Sequence, residues 1–87
     1  MKSSNHYSIL KLALENGKVQ SIREIQEYVP ITVLTIDMQL NYNTLSKRLL
    51  DPGKLTIGDV NRLASLVGVD SVMLFRQIEK DILHRRR

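Results

Sequence analysis

Helix-breaking residues divide this chain at short intervals, and their spacing limits the length of the helices that it can form. Glycine or proline stands at Gly17, Pro30, Pro52, Gly53 and Gly68, and the stretches between them carry apolar residues at helical spacing. The chain of 87 residues is therefore predicted to form one all-α domain, a compact unit of five or six short helices joined by tight connections.

The composition narrows the class of protein. Leu, Ile, Val and Phe supply 29 of the 87 residues, which is too many for a disordered chain. There is no cysteine, so disulfides, a zinc finger and a thiolate nucleophile are excluded. No apolar run approaches the ~18 residues of a membrane span, and the first residues do not follow a signal-peptide pattern. We therefore expect a cytoplasmic protein.

Residues suited to catalysis or metal binding are not grouped in the sequence. His6 and His84 lie at opposite ends of the chain, and it contains no recognisable carboxylate pair, Ser/His/Asp set or glycine-rich phosphate loop. We expect no enzyme activity, no cofactor and no metal site.

Capping patterns predict where the helices begin. Ser21–Glu24 and Thr56–Asp59 have the spacing of a capping box, in which two side chains satisfy each other's backbone N–H groups. Thr32, Asn41 and Asp70 are single N-cap candidates. One core is predicted from the apolar faces of these helices: Ile9, Leu10, Ala13, Leu14, Ile22, Ile25, Val29, Leu34, Met38, Leu45, Leu49, Val60, Leu63, Ala64, Val67, Leu74, Phe75, Ile78 and Ile82.

The segment from Val33 to Leu40 fits two kinds of structure. Its β-branched residues favour a strand, whereas Leu34 and Met38 have helical spacing and no other segment offers a partner strand. We interpret it as a helix.

The interval of about 32–50 then contains two short helices separated by a break at Leu40-Asn41, which is a helix-turn-helix arrangement. On the second helix, Leu45 and Leu49 are one turn apart and are predicted to face inward, so that Asn43 and Lys47 face outward. Asn can pair with adenine and Lys can donate to guanine in the major groove.

The polar row on this second helix predicts an interface with double-stranded DNA. The start of the Thr32 helix, Arg48 and Lys54 are the predicted phosphate contacts. Arg48 also fits a second role, with its stem lying over the edge of the core, and Tyr42 fits either packing or a contact to DNA. The complete set of candidate DNA-binding residues is Thr32, Asn41, Tyr42, Asn43, Thr44, Ser46, Lys47, Arg48 and Lys54.

These motifs resemble the Xre-type, phage-lambda-repressor-like helix-turn-helix family. Thr44-Leu45-Ser46-Lys47 is similar to the opening of that family's recognition helix, and Thr56–Ala64 is similar to its following helix. The segments Gln39–Tyr42, Asp51-Pro52 and Leu55–Ile57 resemble small Bacteroidetes-type members most. The likeness covers about residues 8–82.

The resemblance implies a lambda-repressor-like fold and a transcriptional regulator that reads specific DNA sequences. The chain departs from the family pattern at three positions: Thr35 replaces a small Ala, Gln39 replaces the turn Gly, and Arg48 occupies a usually apolar position. The alternative function is a helical protein-interaction module that retains the fold without binding DNA.

The net charge of +4 is unevenly spread. Residues 1–43 carry four cations and four anions, whereas residues 44–87 carry nine cations and five anions. Three of those nine are Arg85, Arg86 and Arg87, in a tail at 84–87 that is predicted to fray. The position of the excess supports a nucleic-acid partner more than its size does.

The last helix carries more apolar side chains than one stripe facing a small core requires: Val72, Met73, Leu74, Phe75, Ile78, Ile82 and Leu83. A homodimer through this C-terminal helix is predicted, because it would bury the surplus and set two recognition helices on one face of the DNA. The alternative is that the preceding helices wrap the last one completely.

Overall fold

Five α-helices and two 3₁₀-helices form the chain in a computed structural model that describes residues 4–85, with side chains for residues 6–84. In order they are α1 (Ser4–Glu15), η1 (Ile22–Glu27), α2 (Ile31–Met38), α3 (Tyr42–Leu50), η2 (Pro52–Lys54), α4 (Ile57–Val67) and α5 (Ser71–Arg85).

No strand occurs in the described range, so the predicted all-α class is confirmed and the ambiguous segment after Pro30 is a helix. The first two positions of the tail predicted to fray belong to α5, and residues 86–87 lie outside the described range. No helix described here is both long enough and apolar enough to cross a membrane.

Helix α4 packs against α1, α2 and α5, and α2 also packs against α3. Helix α5 additionally contacts η1 and η2. These contacts enclose one core with the following buried apolar side chains: Tyr7, Leu10, Ala13, Leu14, Val19, Ile22, Ile25, Val29, Leu34, Met38, Leu45, Leu49, Val60, Leu63, Ala64, Val67, Leu74 and Ile78.

Two residues predicted to face the core do not. Ile9 is 56% exposed and Phe75 is 38% exposed. Ile9 precedes the buried Leu10, and Phe75 follows the buried Leu74. One position along a helix is a rotation of about 100°, so both side chains turn away from the core. Tyr7 takes the inward position on the first turn of α1 instead.

Two predicted helix starts are confirmed. The Asn41 side chain accepts a hydrogen bond from the N–H of Thr44 at the start of α3. At the start of α4, Thr56 Oγ1 accepts from the N–H of Asp59 at 3.0 Å, and Asp59 Oδ2 accepts from the N–H of Thr56 at 3.1 Å. These side chains satisfy N–H groups that a helix leaves without partners in its first turn.

Of the two other predicted starts, the one at Thr32 is wrong, and the one at Ser21 is right in position but lacks the predicted capping box. Helix α2 begins directly after Pro30, whose carbonyl accepts its first backbone hydrogen bonds, so Thr32 lies within the helix and does not cap it. The Ser21 side chain forms no capping hydrogen bond, and Glu24 Oε1 instead accepts from the N–H of Gln20 at 2.9 Å.

The acceptor at the start of η1 comes from α5. Asp81 is 7% exposed, and its Oδ2 accepts from the N–H of Ile22 at 2.7 Å. Gln77 Nε2 donates to the carbonyl of Gln20 at 3.0 Å and to Asp81 Oδ1 at 3.4 Å. Two buried polar side chains thus fasten Gln20 and Ile22, on either side of the η1 N-cap, to the C-terminal helix.

Candidate nucleic-acid interface

The turn between α2 and α3 has a left-handed residue at its apex. Gln39 has φ 58° and ψ 42°, and its N–H donates to the carbonyl of Ile36 at 3.3 Å. The N–H of Leu40 donates to the carbonyl of Thr35 at 3.1 Å, which completes a Schellman motif. A left-handed conformation costs a non-glycine residue about 1–2 kcal/mol. The expectation that Gln39 occupies a position suited to glycine is confirmed.

The start of α3 faces solvent. The Asn41 side chain is exposed, and its Oδ1 accepts from the N–H of Thr44 at 2.8 Å. The N–H groups of Tyr42 and Asn43 have no acceptor within the helix, because the first turn of an α-helix provides none. Tyr42 is 56% exposed, so the packing role proposed for it is at most partial. A helix start of this kind attracts an anionic group.

The register predicted for α3 is confirmed. Leu45 is 0% exposed and Leu49 is 2% exposed, so these two side chains attach the helix to the core. Asn43 and Lys47 are exposed. The side chains at the boundary between the two faces are partly buried: Thr44, Ser46 and Arg48.

Arg48 forms an ion pair that the sequence did not reveal. Its Nη1 lies 2.7 Å from Asp59 Oδ2, with the two side chains 27% and 11% exposed. The same oxygen accepts the N–H of Thr56 in the capping box of α4. Arg48 therefore pairs across the α3–α4 boundary, and its charge is balanced within the protein. The capping box is visible in the sequence, but its use as a partner for Arg48 is not.

The remaining candidates lie beside α3 or at the start of α2. Lys54 is exposed at the end of η2, which packs against α3. Thr32 is exposed in the first turn of α2, which also packs against α3. The predicted site residues thus occupy α3 and two elements in contact with it.

A hydrogen bond between α1 and α2 helps to position the motif. Tyr7 Oη donates to Asp37 Oδ2 at 2.6 Å. Burial, and then the hydrogen bond to the Asp37 carboxylate, raise the pKa of Tyr7 far above its usual range. The tyrosine therefore remains a neutral donor. Its partner lies 30 residues away in sequence, so local patterns do not indicate the pair.

No family model, curated protein or solved structure matches this chain. The resemblance to Xre-type proteins consequently stays a prediction from sequence motifs. Among the side chains described, no three that commonly bind metals come together in a group that could hold an ion.

Proposed function

We propose that this protein binds double-stranded DNA by placing the exposed face of α3 in the major groove. The observation that supports this most is the register of α3, in which buried Leu45 and Leu49 leave Asn43 and Lys47 in solvent. The Asn43 amide suits the hydrogen-bonding edges of bases, and the Lys47 ammonium suits a base edge or the phosphate beside it. A short turn that contains left-handed Gln39 joins α2 to α3, which is the kind of connection found in a helix-turn-helix.

Phosphate contacts come from Lys47, Lys54 and the exposed first turns of α2 and α3. Each neutralised phosphate contributes about −0.9 to the slope of log affinity against log salt concentration. Lys47 and Lys54 alone therefore give a slope of about −1.8 per subunit, and Arg48 raises its size to about 2.7 only if DNA displaces Asp59. The measured slope thus reports whether the ion pair in the free protein persists on DNA.

Specific recognition extends this proposal. One recognition helix covers only about four to five base pairs, so useful selectivity requires two subunits on spaced half-sites. A homodimer that acts as a cytoplasmic transcriptional regulator fits this requirement.

A salt titration on mixed-sequence duplex DNA tests the proposal. Fluorescence anisotropy is measured with the parent protein, Lys47→Ala, and the matched control Lys18→Ala, which removes the same charge from an exposed loop position before η1. We expect Lys47→Ala to weaken binding and reduce the slope by about 0.9, with little change in the control. A response that is flat with salt, or equal losses for both variants, contradicts DNA binding through α3.

A protein-interaction module is the second candidate function. It is supported by the ion pair that neutralises Arg48 and by the apolar character of exposed Tyr42 and Leu50, which are 56% and 53% exposed on α3. The same titration separates the two functions, because this module predicts no salt-dependent affinity for DNA.

A further inference from the structure

A cavity of about 470 Å³ lies between the end of α1, the loop that follows it and one side of α5, and we call it the α1–α5 cavity. Its apolar lining comes from all three segments: Leu14, Val19, Val72 and Met73. Val72 is 50% exposed, so the preceding helices do not wrap α5 completely here. Small-molecule sites typically have volumes of about 300–1,000 Å³, so the cavity has the size and the apolar surface to hold a small ligand.

One polar side chain that lines this cavity has an acceptor atom without a partner among the described residues. Gln77 is 9% exposed, and its Nε2 donates to the carbonyl of Gln20 and to Asp81 Oδ1. Both partners are acceptors, so the NH₂ group of the amide must face them and Oε1 must face away. No described residue donates to Oε1, yet every fully buried side-chain polar atom in the described chain has a partner. Oε1 is therefore accessible, and a ligand in the cavity can donate an N–H or O–H to it.

Positive charge lies beside this acceptor. Arg76 and Lys80 line the cavity, are exposed, and form no ion pair with another described residue. They lie on either side of Gln77 in the sequence. Asp70 also lines the cavity, but it precedes Gln77 by seven positions, which is about 10 Å along a helix axis. Two cations and one acid give the lining a net charge of +1, which a single carboxylate balances.

We propose that the α1–α5 cavity binds a small organic carboxylate that has an apolar body and an N–H or O–H donor. The carboxylate pairs with Arg76 and Lys80, the donor bonds to Gln77 Oε1, and the apolar body covers the apolar lining. All three features lie within one cavity of ligand size, whereas a protein partner needs about 800 Å² of surface on each side. The site is independent of the proposed DNA binding, which involves α3 and the elements beside it.

Four probes separate these requirements in a titration followed by NMR of the backbone and side-chain amides, without DNA. Indoleacetate has a carboxylate, an apolar ring and an N–H, and a ligand of its size is expected to bind with a Kd of about 1 mM. Naphthaleneacetate lacks the N–H, tryptamine replaces the carboxylate by a cation, and acetate lacks the ring. We expect each of these three to bind about tenfold more weakly than indoleacetate, because each fails one of the three contacts. The largest shifts should occur at the side-chain amide of Gln77 and at the backbone amides of Val19 and Met73.

Substitutions of the cations test where the carboxylate binds. Arg76→Gln and Lys80→Gln should each weaken indoleacetate binding about three- to tenfold. Arg62→Gln is the matched control, because it removes the same charge from an exposed position of α4 outside the cavity, and it should leave the affinity unchanged. Substituting Gln77 would also remove its hydrogen bond to Gln20. The comparison of indoleacetate with naphthaleneacetate therefore tests Oε1 in the intact protein.

Every other outcome contradicts the site. Indoleacetate that does not approach saturation at about 10 mM, or amide shifts that lie elsewhere on the protein, overturns the proposal. Equal affinity for acetate, or an equal loss in Arg62→Gln, means attraction of anions to a basic surface only. Equal affinity for naphthaleneacetate means that Gln77 Oε1 receives no hydrogen bond from the ligand, and it overturns the proposed chemistry. None of these results bears on DNA binding, which the anisotropy titration measures separately.

Discussion

Replacing Asp81 should reveal how much the buried contact between α5 and the start of η1 contributes to stability. Asp81→Ala removes the carboxylate oxygen that accepts from the N–H of Ile22 at 2.7 Å. Ile22 is 0% exposed and Asp81 is 7% exposed. Water therefore has little access to the abandoned N–H group, and the substitution leaves a buried donor unsatisfied.

The magnitude follows from the chemistry of that bond. A hydrogen bond to a charged group contributes about 1.5–3 kcal/mol. Gln77 also loses its 3.4 Å contact to Asp81, but it keeps the carbonyl of Gln20 at 3.0 Å, so this loss adds little. We expect the free energy of unfolding to fall by about 2–3 kcal/mol, from a total that is typically about 5–15 kcal/mol. The midpoint of thermal unfolding should drop by about 10–20 °C.

Urea denaturation followed by circular dichroism measures this change, at concentrations where the protein is monomeric. Asp81→Asn retains one carbonyl oxygen for Ile22 but turns an NH₂ group toward Gln77, so we expect a smaller loss of about 1 kcal/mol. Glu79→Ala is the matched control, because it removes an exposed carboxylate from the same helix and should cost no more than about 0.5 kcal/mol.

Two results would refute the reasoning. A loss in Asp81→Ala no larger than in Glu79→Ala would mean that the contact to Ile22 contributes nothing measurable to stability. An equal loss in Asp81→Asn and Asp81→Ala would mean that the negative charge, and not the hydrogen-bond acceptor, is what stabilises the start of η1.

Three further predictions concern the turn, the α1–α2 contact and the ion pair. Gln39→Gly removes the strain of a non-glycine residue held at φ 58°. After the added entropy of the unfolded chain is subtracted, thermal unfolding should show a free energy of unfolding that is higher by about 0.5–1 kcal/mol, whereas Gln39→Ala should show no gain. Because the pKa of Tyr7 is raised in the folded state by burial and by Asp37, its contribution to stability is complete below the ordinary tyrosine pKa of about 10 and is lost as the pH rises above it. Denaturation from about pH 8 to about pH 11 should therefore show a steeper loss in the parent than in Tyr7→Phe. Asp59→Asn should lower the free energy of unfolding by about 1 kcal/mol, because it weakens the cap of α4. It should nevertheless tighten DNA binding and steepen the salt slope by about 0.9, because it releases Arg48. Unchanged affinity in anisotropy titrations would argue against a phosphate contact by Arg48.

The parts of the fold that local sequence predicted are those decided within one helical turn. The cap at Asn41 and the box at Thr56–Asp59 join atoms three residues apart, so the sequence contains both partners. The outward position of Asn43 and Lys47 follows in the same way from two leucines one turn apart. Local spacing was sufficient for the exposed face of the candidate site.

The parts that local sequence did not predict depend on contacts between distant elements. Arg48 and Asp59 are 11 residues apart, and the N–H of Ile22 and its acceptor on Asp81 are 59 residues apart. Such pairs exist only after the helices have packed. The box expected at Ser21 does not form: the N–H of Glu24 donates to the Ser21 carbonyl, Glu24 Oε1 accepts from Gln20, and Asp81 accepts from the neighbouring N–H of Ile22. Likewise, the sequence of α3 alone did not indicate that Arg48 is paired with Asp59 in the free protein.

Because Asp59 Oδ2 accepts from both Arg48 and the N–H of Thr56, substitutions at positions 48 and 59 should not be tolerated equally in evolution. Replacing Arg48 by an apolar residue removes one donor and leaves the cap of α4 in place, so that change is readily tolerated. Replacing Asp59 while Arg48 remains leaves a partly buried cation without its partner and also weakens the start of α4, because one oxygen serves both groups. In an alignment of descendants of this sequence, we expect one-way dependence: an arginine at position 48 should occur with an acid at position 59, whereas an acid at position 59 should occur with many residues at position 48.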